Sequence, residues 1–315
     1  MILNEMQNSE RISDSARLAR RLEKPEGRVD VVIDTDAYNE IDDQFALAYL
    51  IKSNEKLDLQ AVYAAPFTNS RSSGPGDGME KSYQEIMNVL TLMGREDLKR
   101  IVYRGSVRYM PSETEPVESA AAQDLIQRAM EHSEAHPLYV VAIGAITNVS
   151  SALLMKPKIK DRIVLIWLGG NAVHWPDNRE FNLCQDIAGA RIAFGCGVPL
   201  VQLPCMGVVS AFTTSGPELE YHLRGKNRLC DYLIDTTARE AASCQTLSTW
   251  TRPIWDVTAV AWLLDPDFEK DCLIPSPIPE YDDHYAFDPG RHMIKYVYHI
   301  NRDLLFADLF EKLKR

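Results

Sequence analysis

Short β-branched apolar runs alternate with helix-length stretches from residue 31 onward, and this alternation limits the possible folds more than any other feature. "VDVVID" is continuous and apolar, as expected of a strand buried on both faces. "LDLQAVYAA", "PLYVVAIGA", "RIVLIWLGG" and "VPLVQLP" repeat the type. Between them, Ile41, Phe45, Ala48 and Ile51 recur at helical spacing, and "MEKSYQEIMNVLTLMG" reads as a helix ending at Gly94. "VSSALL", "DIAGARIAFGCG" and "IWDVTAVAWLL" read as further helices, the last with Asp256 in its first turn. The expected class is α/β, an open, mainly parallel (mixed) sheet with helices on both faces. Ligands of such sheets bind in crevices at the carboxyl ends of the strands.

At 315 residues the chain suits one large domain, read as residues 29–315. Residues 1–28 read as a charged, mostly helical extension outside it, ending at Pro25-Glu26-Gly27. A net charge of −11, from 45 acidic against 34 basic residues, disfavours a nucleic-acid partner, which needs a basic surface. There is no apolar run of about 18 residues, so neither a spanning helix nor a membrane partner is expected. The N-terminus lacks the apolar core of a secretory signal, and a cytoplasmic location is the expectation. Cys184, Cys196, Cys205, Cys230, Cys244 and Cys272 form no C-x-x-C pair and read as free thiols of a reducing compartment.

The first apolar run ends in a dense acidic turn, "DTDAYNEIDD", holding Asp34, Asp36, Glu40, Asp42 and Asp43. Carboxylates at a helix start are stabilised by its free N–H groups, which accounts for one or two of them. Asp34 and Asp36 lie on or just after a buried strand and need another cause. A bound cation supplies it, and hard oxygen donors without a His or Cys pair point to Ca²⁺ or Mg²⁺. An EF-hand loop counted from Asp34 fails, because Tyr38 and Asn39 stand where an oxygen ligand and Gly are required. Asp34-Thr35-Asp36 after a strand also suits a Mg²⁺-dependent phosphohydrolase with an aspartyl nucleophile, which leaves Asp42-Asp43 without a role. "GPGDGMEKS" lacks the Gly-Lys adjacency of a phosphate loop and reads as a flexible loop entering a helix.

"DTDAYNEIDDQFAL" resembles the N-terminal signature of the inosine–uridine-preferring nucleoside hydrolases, with two extra residues and without the usual Pro-Gly. "VVAIGAITN", "REFNLCQDIAGARIAF" and "IWDVTAVAWLLDP" resemble later segments of that family in the same order. The resemblance implies a nucleoside hydrolase-like fold and a Ca²⁺ site made by Asp36, Asp43, the backbone carbonyl of Ile143 and Asp256. It implies that Asp42, Glu180 and Asn182 contact the sugar, with Asn69 a further candidate, and that Asp34 orients the loop from behind. Asp36, beside the metal, would accept a proton from the attacking water. Trp255 stands where the family often has a His, as in the purine-preferring branch, and would stack on the base. As a core indole it would pack instead. His174 stands where the pattern carries an Asn near the sugar's 5′ end; it reads equally as a structural residue, a 5′-hydroxyl contact or a proton donor, with Asn171 and Trp175 as neighbouring alternatives. The implied partner is a small nucleoside, preferably a purine nucleoside, and the implied assembly a homodimer or homotetramer. A non-catalytic ribosyl-ligand binder with the same site is the remaining alternative.

Overall fold

The computed structural model describes residues 16–244 and 249–315. A helical segment over residues 16–21 (α1) leads to β1 (Val29–Thr35), α2 (Asp42–Lys52), β2 (Leu57–Ala64), α3 (Pro75–Leu92), β3 (Val102–Arg104) and α4 (Ala120–Glu131). There follow β4 (Leu138–Ala142), α5 (Thr147–Met155), β5 (Ile163–Leu168), α6 (Phe181–Gln185), α7 (Ile187–Gly195) and β6 (Leu200–Leu203). The last third adds β7 (Thr213–Ser215), α8 (Gly216–Leu223), α9 (Arg228–Cys244), β8 (Thr251–Pro253) and α10 (Val257–Ala261). It ends with β9 (Glu269–Pro275), β10 (Ile278–Pro279), β11 (Tyr285–Ala286), β12 (Met293–Ile300) and α11 (Arg302–Lys314).

Eight strands form one sheet in the order β3-β2-β1-β4-β5-β6-β12-β9. Its pairs are parallel except β12–β9, so the mixed, mainly parallel expectation holds. Strand order reverses between β1 and β4, the switch point at which an α/β sheet opens a crevice. Parallel register puts Asp34 beside Ala142, so the acidic turn and the Ile143-Gly144 turn leave the sheet side by side. Two apolar clusters cover its faces, one built on Phe45, Leu47 and Leu50 of α2, the other on Trp167 and Phe194.

Helix α2 is buried from Asp42 to Ile51, so it is covered on all sides rather than amphipathic. Helix α10 packs against it and carries Asp256 to its N-terminus.

Two local readings change. The glycine-rich stretch is not a loop: α3 begins at Pro75, with the ring's fixed φ suiting a first helical position. Gly78 is required there, since a Cβ would lie 2.0 Å from the Phe67 carbonyl oxygen. The second change concerns the N-terminal extension. Residues 1–15 lie outside the described residues, but the described remainder packs on the body: Leu22 is fully buried, and Arg21 donates to the carbonyls of Lys160 (3.2 Å) and Ile163 (3.0 Å). As the sequence suggests, Cys184, Cys196, Cys205, Cys230 and Cys272 are free thiols, while the Cys244 side chain lies outside the described residues. No helix among the described residues is long and apolar enough to cross a membrane.

Candidate functional site

A cavity of about 190 Å³ opens at the switch point, lined by Asp36, Asp42, Asp43, Ile143, Asn171, Glu180, Asn182, Trp255 and Asp256 among others. Sequence reasoning had selected all nine. Their arrival follows from the topology: β1 delivers Asp36, the first turn of α2 Asp42 and Asp43, the end of β4 Ile143, and α10 Asp256.

The carboxylates are crowded and dry. Oxygens of Asp42, Asp43 and Asp256 lie within 4.8 Å of one another, a group able to hold a metal ion. Asp36 is 1% exposed, and neither of its carboxylate oxygens has a hydrogen-bond partner among the described residues. Burial, then the charges of Asp43 and Asp42, push its pKa well above the usual carboxylate range. Asp42 is pushed up by burial, then by Glu40 and Asp43, and Asp256 by burial, then by Asp42, Asp43 and Asp36. Burial raises Asp43 to about 7 against hydrogen bonds from Thr35 and Asp256. Buried carboxylates stay charged only when paired or bound to metal. The donors fit a hard cation: all are oxygens, and both oxygens of Asp36 lack any other partner among the described residues. The Ile143 carbonyl accepts one bond, from Asn182 Nδ2 at 3.3 Å, and keeps a second lone pair.

Asp34 is fully buried and is not among the residues lining the cavity. Its Oδ1 accepts from Asn148 Nδ2 at 2.8 Å, and burial raises its pKa to about 7. An aspartyl nucleophile must reach its substrate, so this position speaks against the phosphohydrolase alternative. Asn148 ties several loops together: the same Nδ2 reaches the Ala64 carbonyl (3.3 Å), and its Oδ1 accepts from the Ser106 N–H and hydroxyl, each at 2.8 Å.

The two extra residues of the acidic turn form a closed bend. The Asn39 N–H donates to the Asp36 carbonyl at 2.7 Å, and Gln44 Nε2 holds the Ala37 carbonyl at 2.8 Å. Glu40 accepts from Arg252 on β8 at 3.1 Å. Asn69 does not line the cavity itself but donates at 2.7 Å to Asn39, which does.

Glu180 caps α6, its Oε2 accepting from the N–H groups of Gly170 and Leu183 (2.8 Å each) and its Oε1 from Asn182 (2.9 Å). Burial raises its pKa against these bonds. Asn182 Nδ2 also reaches the Leu168 carbonyl at 3.0 Å. Asn171 is similarly engaged, donating to the Asp177 carbonyl at 3.2 Å and accepting from the Met206 N–H at 3.2 Å. Trp255 is half-buried; it lines the cavity and packs on the core at once. His174 and Trp175 are exposed and do not line the cavity. The loop carries His174 outward, where its Nε2 lies against Gly207.

Residues to which sequence reasoning gave no site role also line the cavity, including Asn39, Glu40, Leu168, Arg179, Cys205 and Met206. Cys205 and Met206 follow β6, and the end of a parallel strand was the available signal. Burial raises the Cys205 thiol far above its usual pKa, which makes it an inert wall rather than a nucleophile.

The sequence model described as inosine-uridine preferring nucleoside hydrolase matches residues 31–275. The pyrimidine-specific ribonucleoside hydrolase RihA of Escherichia coli O1:K1 / APEC is 26% identical over 182 residues, covering 51% of this chain and 55% of the relative. RihA of E. coli O127:H6 is 27% identical over 184 residues, with the same coverage. The chain thus spans about half the length of the curated relatives it matches. Among solved structures, the plant nucleoside hydrolase PpNRh1 superposes with a TM-score of 0.71 at 20% identity, covering 92% of this chain and 99% of that one. A purine-preferring ribonucleoside hydrolase from Gardnerella vaginalis gives 0.72 at 18% identity, covering 90% and 98%. At such identities the structures speak for the fold, and the match over residues 31–275 speaks for descent: the chain belongs to the inosine-uridine preferring nucleoside hydrolase family.

Proposed function

We propose that this protein hydrolyses the N-glycosidic bond of ribonucleosides to ribose and a free base, with Ca²⁺ held by Asp36, Asp43, Asp256 and the Ile143 carbonyl. The observation that carries this reading is the buried Asp36 carboxylate, which has no hydrogen-bond partner among the described residues, in a cavity where three further aspartates converge. When bound, a divalent cation supplies a more acidic water and an anchor for two sugar hydroxyls. Asp36 accepts the proton of the attacking water. Asp42 accepts hydrogen bonds from the ribose hydroxyls and fixes the ring. The carboxylates around the sugar favour the positive charge that develops at the anomeric carbon as the base departs. Glu180 acts through its neighbour: its oxygens are held by three N–H groups, one of them that of Asn182, which faces the cavity.

Purine nucleosides are the preferred substrates in this reading. Support comes from Trp255, an indole on the cavity wall able to stack on a two-ring base. Relatives bear pyrimidine-specific and purine-preferring names alike, so the preference rests on that side chain. His174 has no role here. A second reading, a ribosyl-ligand binder without turnover, is favoured by one observation: among the described residues, no His lines the cavity to protonate the departing base.

A reducing-sugar assay over inosine, adenosine, uridine and cytidine with Ca²⁺ distinguishes the two. Ribose release that is faster from the purine nucleosides supports hydrolysis and the base preference. Tight calorimetric binding of inosine with no ribose formed supports the binder and refutes the hydrolase.

A further inference from the structure

Among the described residues lining the aspartate cavity there is one cationic side chain, Arg179. Its position is set by the backbone around it. The Arg179 N–H donates to Asp177 Oδ1 at 3.0 Å, and the Asn171 N–H donates to Asn178 Oδ1 at 2.8 Å. The Asn178 N–H donates to the Asp283 carbonyl at 2.6 Å, which fastens the loop to the segment between β10 and β11. Glu180, the next residue, is buried and clamped to Gly170. A rigid base therefore carries a guanidinium that is 70% exposed at the cavity rim.

Its recorded ion pair is with Asp283 at 3.5 Å. An ion pair this exposed contributes about 0–1 kcal/mol to stability, so bracing the loop does not account for a cation here. The cavity is also polarised. Its floor is four buried aspartates and its rim carries Arg179. Neutral sugar hydroxyls suit the floor, whereas an anionic group on the same ligand is repelled from it and attracted to the rim. The guanidinium fork matches the oxygens of a phosphate in two parallel hydrogen bonds.

We propose that Arg179 selects ribosyl substrates bearing a phosphate, so that ribonucleoside 5′-monophosphates are preferred over the bare nucleosides. This inference rests on the nucleoside-hydrolysing reading of the same cavity and narrows its substrate class. The bond broken is unchanged: water adds its oxygen to the anomeric carbon, the carbon–nitrogen bond breaks, and the base leaves with a proton. The phosphate ester is untouched, and the products are ribose 5-phosphate and free base.

Calorimetric titration of the full chain with ribose 5-phosphate and with ribose, in Ca²⁺ buffer, decides the inference independently of turnover. Ribose 5-phosphate is expected to bind at least about tenfold more tightly, with Arg179→Ala bringing the ratio near one and Arg179→Lys keeping part of it. Equal affinities in the wild type, or a ratio that survives Arg179→Ala, would overturn it. Arg179 is exposed, so the variant's fold is not in question. Sugar release from inosine and from its 5′-monophosphate separates the two failures. Release from neither refutes the hydrolase reading while the binding ratio still decides this one. Equal release from both leaves hydrolysis standing and overturns the phosphate preference.

Discussion

Replacing Asp43 by Asn should make the cation-free protein more stable at alkaline pH and the Ca²⁺-loaded protein less stable. Asp43 is 1% exposed, and burial raises its carboxyl from 3.8 to about 7. Holding it as an anion in the native state therefore costs up to about 4 kcal/mol, at about 1.4 kcal/mol per pH unit. The native value lies above the unfolded one, so between about pH 4 and pH 7 the native state keeps a proton that the unfolded chain has lost. The group's contribution is complete below about pH 4 and is lost as pH rises through about 7. Asn removes this dependence while keeping an oxygen to accept from Thr35. In chelator at about pH 8, Asp43→Asn should exceed the wild type by up to about 4 kcal/mol, and at about pH 4 the two should nearly coincide. Ca²⁺ at about 10⁴-fold above Kd reverses the order, because it adds about 5.5 kcal/mol to the chain that keeps its ligand. Urea unfolding followed by circular dichroism, at both pH values and with or without Ca²⁺, measures all of these. A variant less stable than wild type by the same amount in every condition would refute the reasoning, since Asp43 would then be an ordinary structural residue.

Other perturbations test neighbouring parts of the account. Gly78→Ala drives a Cβ to 2.0 Å from the Phe67 carbonyl and should lower stability by about 3 kcal/mol in urea melts. Asn148→Ala strips Asp34 and Ser106 of buried partners and should cost about 1–3 kcal/mol, more above pH 7 than below it, because Asp34 ionises without its donor. Trp255→Ala should reduce kcat/KM for inosine more than for uridine, and equal losses would remove the basis for the purine preference.

The parallel core was legible because its strands are buried on both faces and read as unbroken apolar runs, "VDVVID" and "RIVLIWLGG" among them. The edge strand β9 alternates irregularly between buried and exposed residues and carries no such signal, and β12, which joins it to the sheet, went unread with it. Asp36, Asp42 and Asp43 were legible as a cluster because repulsion in sequence demanded an explanation. Asp256 reached the site only through the family resemblance, since no local pattern reveals that α10 packs on α2. His174 marks the opposite limit. Its motif position was suggestive, but the direction in which a loop carries its side chains depends on tethers such as Asn178–Asp283, which lie 105 residues apart. Arg179 escaped notice for the same reason, although it adjoins the well-marked Glu180.

Metal content and ribose release, measured on one sample before chelation, after it and after Ca²⁺ is returned, test the central claim most directly. The account predicts that activity on inosine disappears with the metal, returns as Ca²⁺ rebinds, and does neither in Asp36→Ala. Full turnover by demonstrably metal-free protein would contradict it.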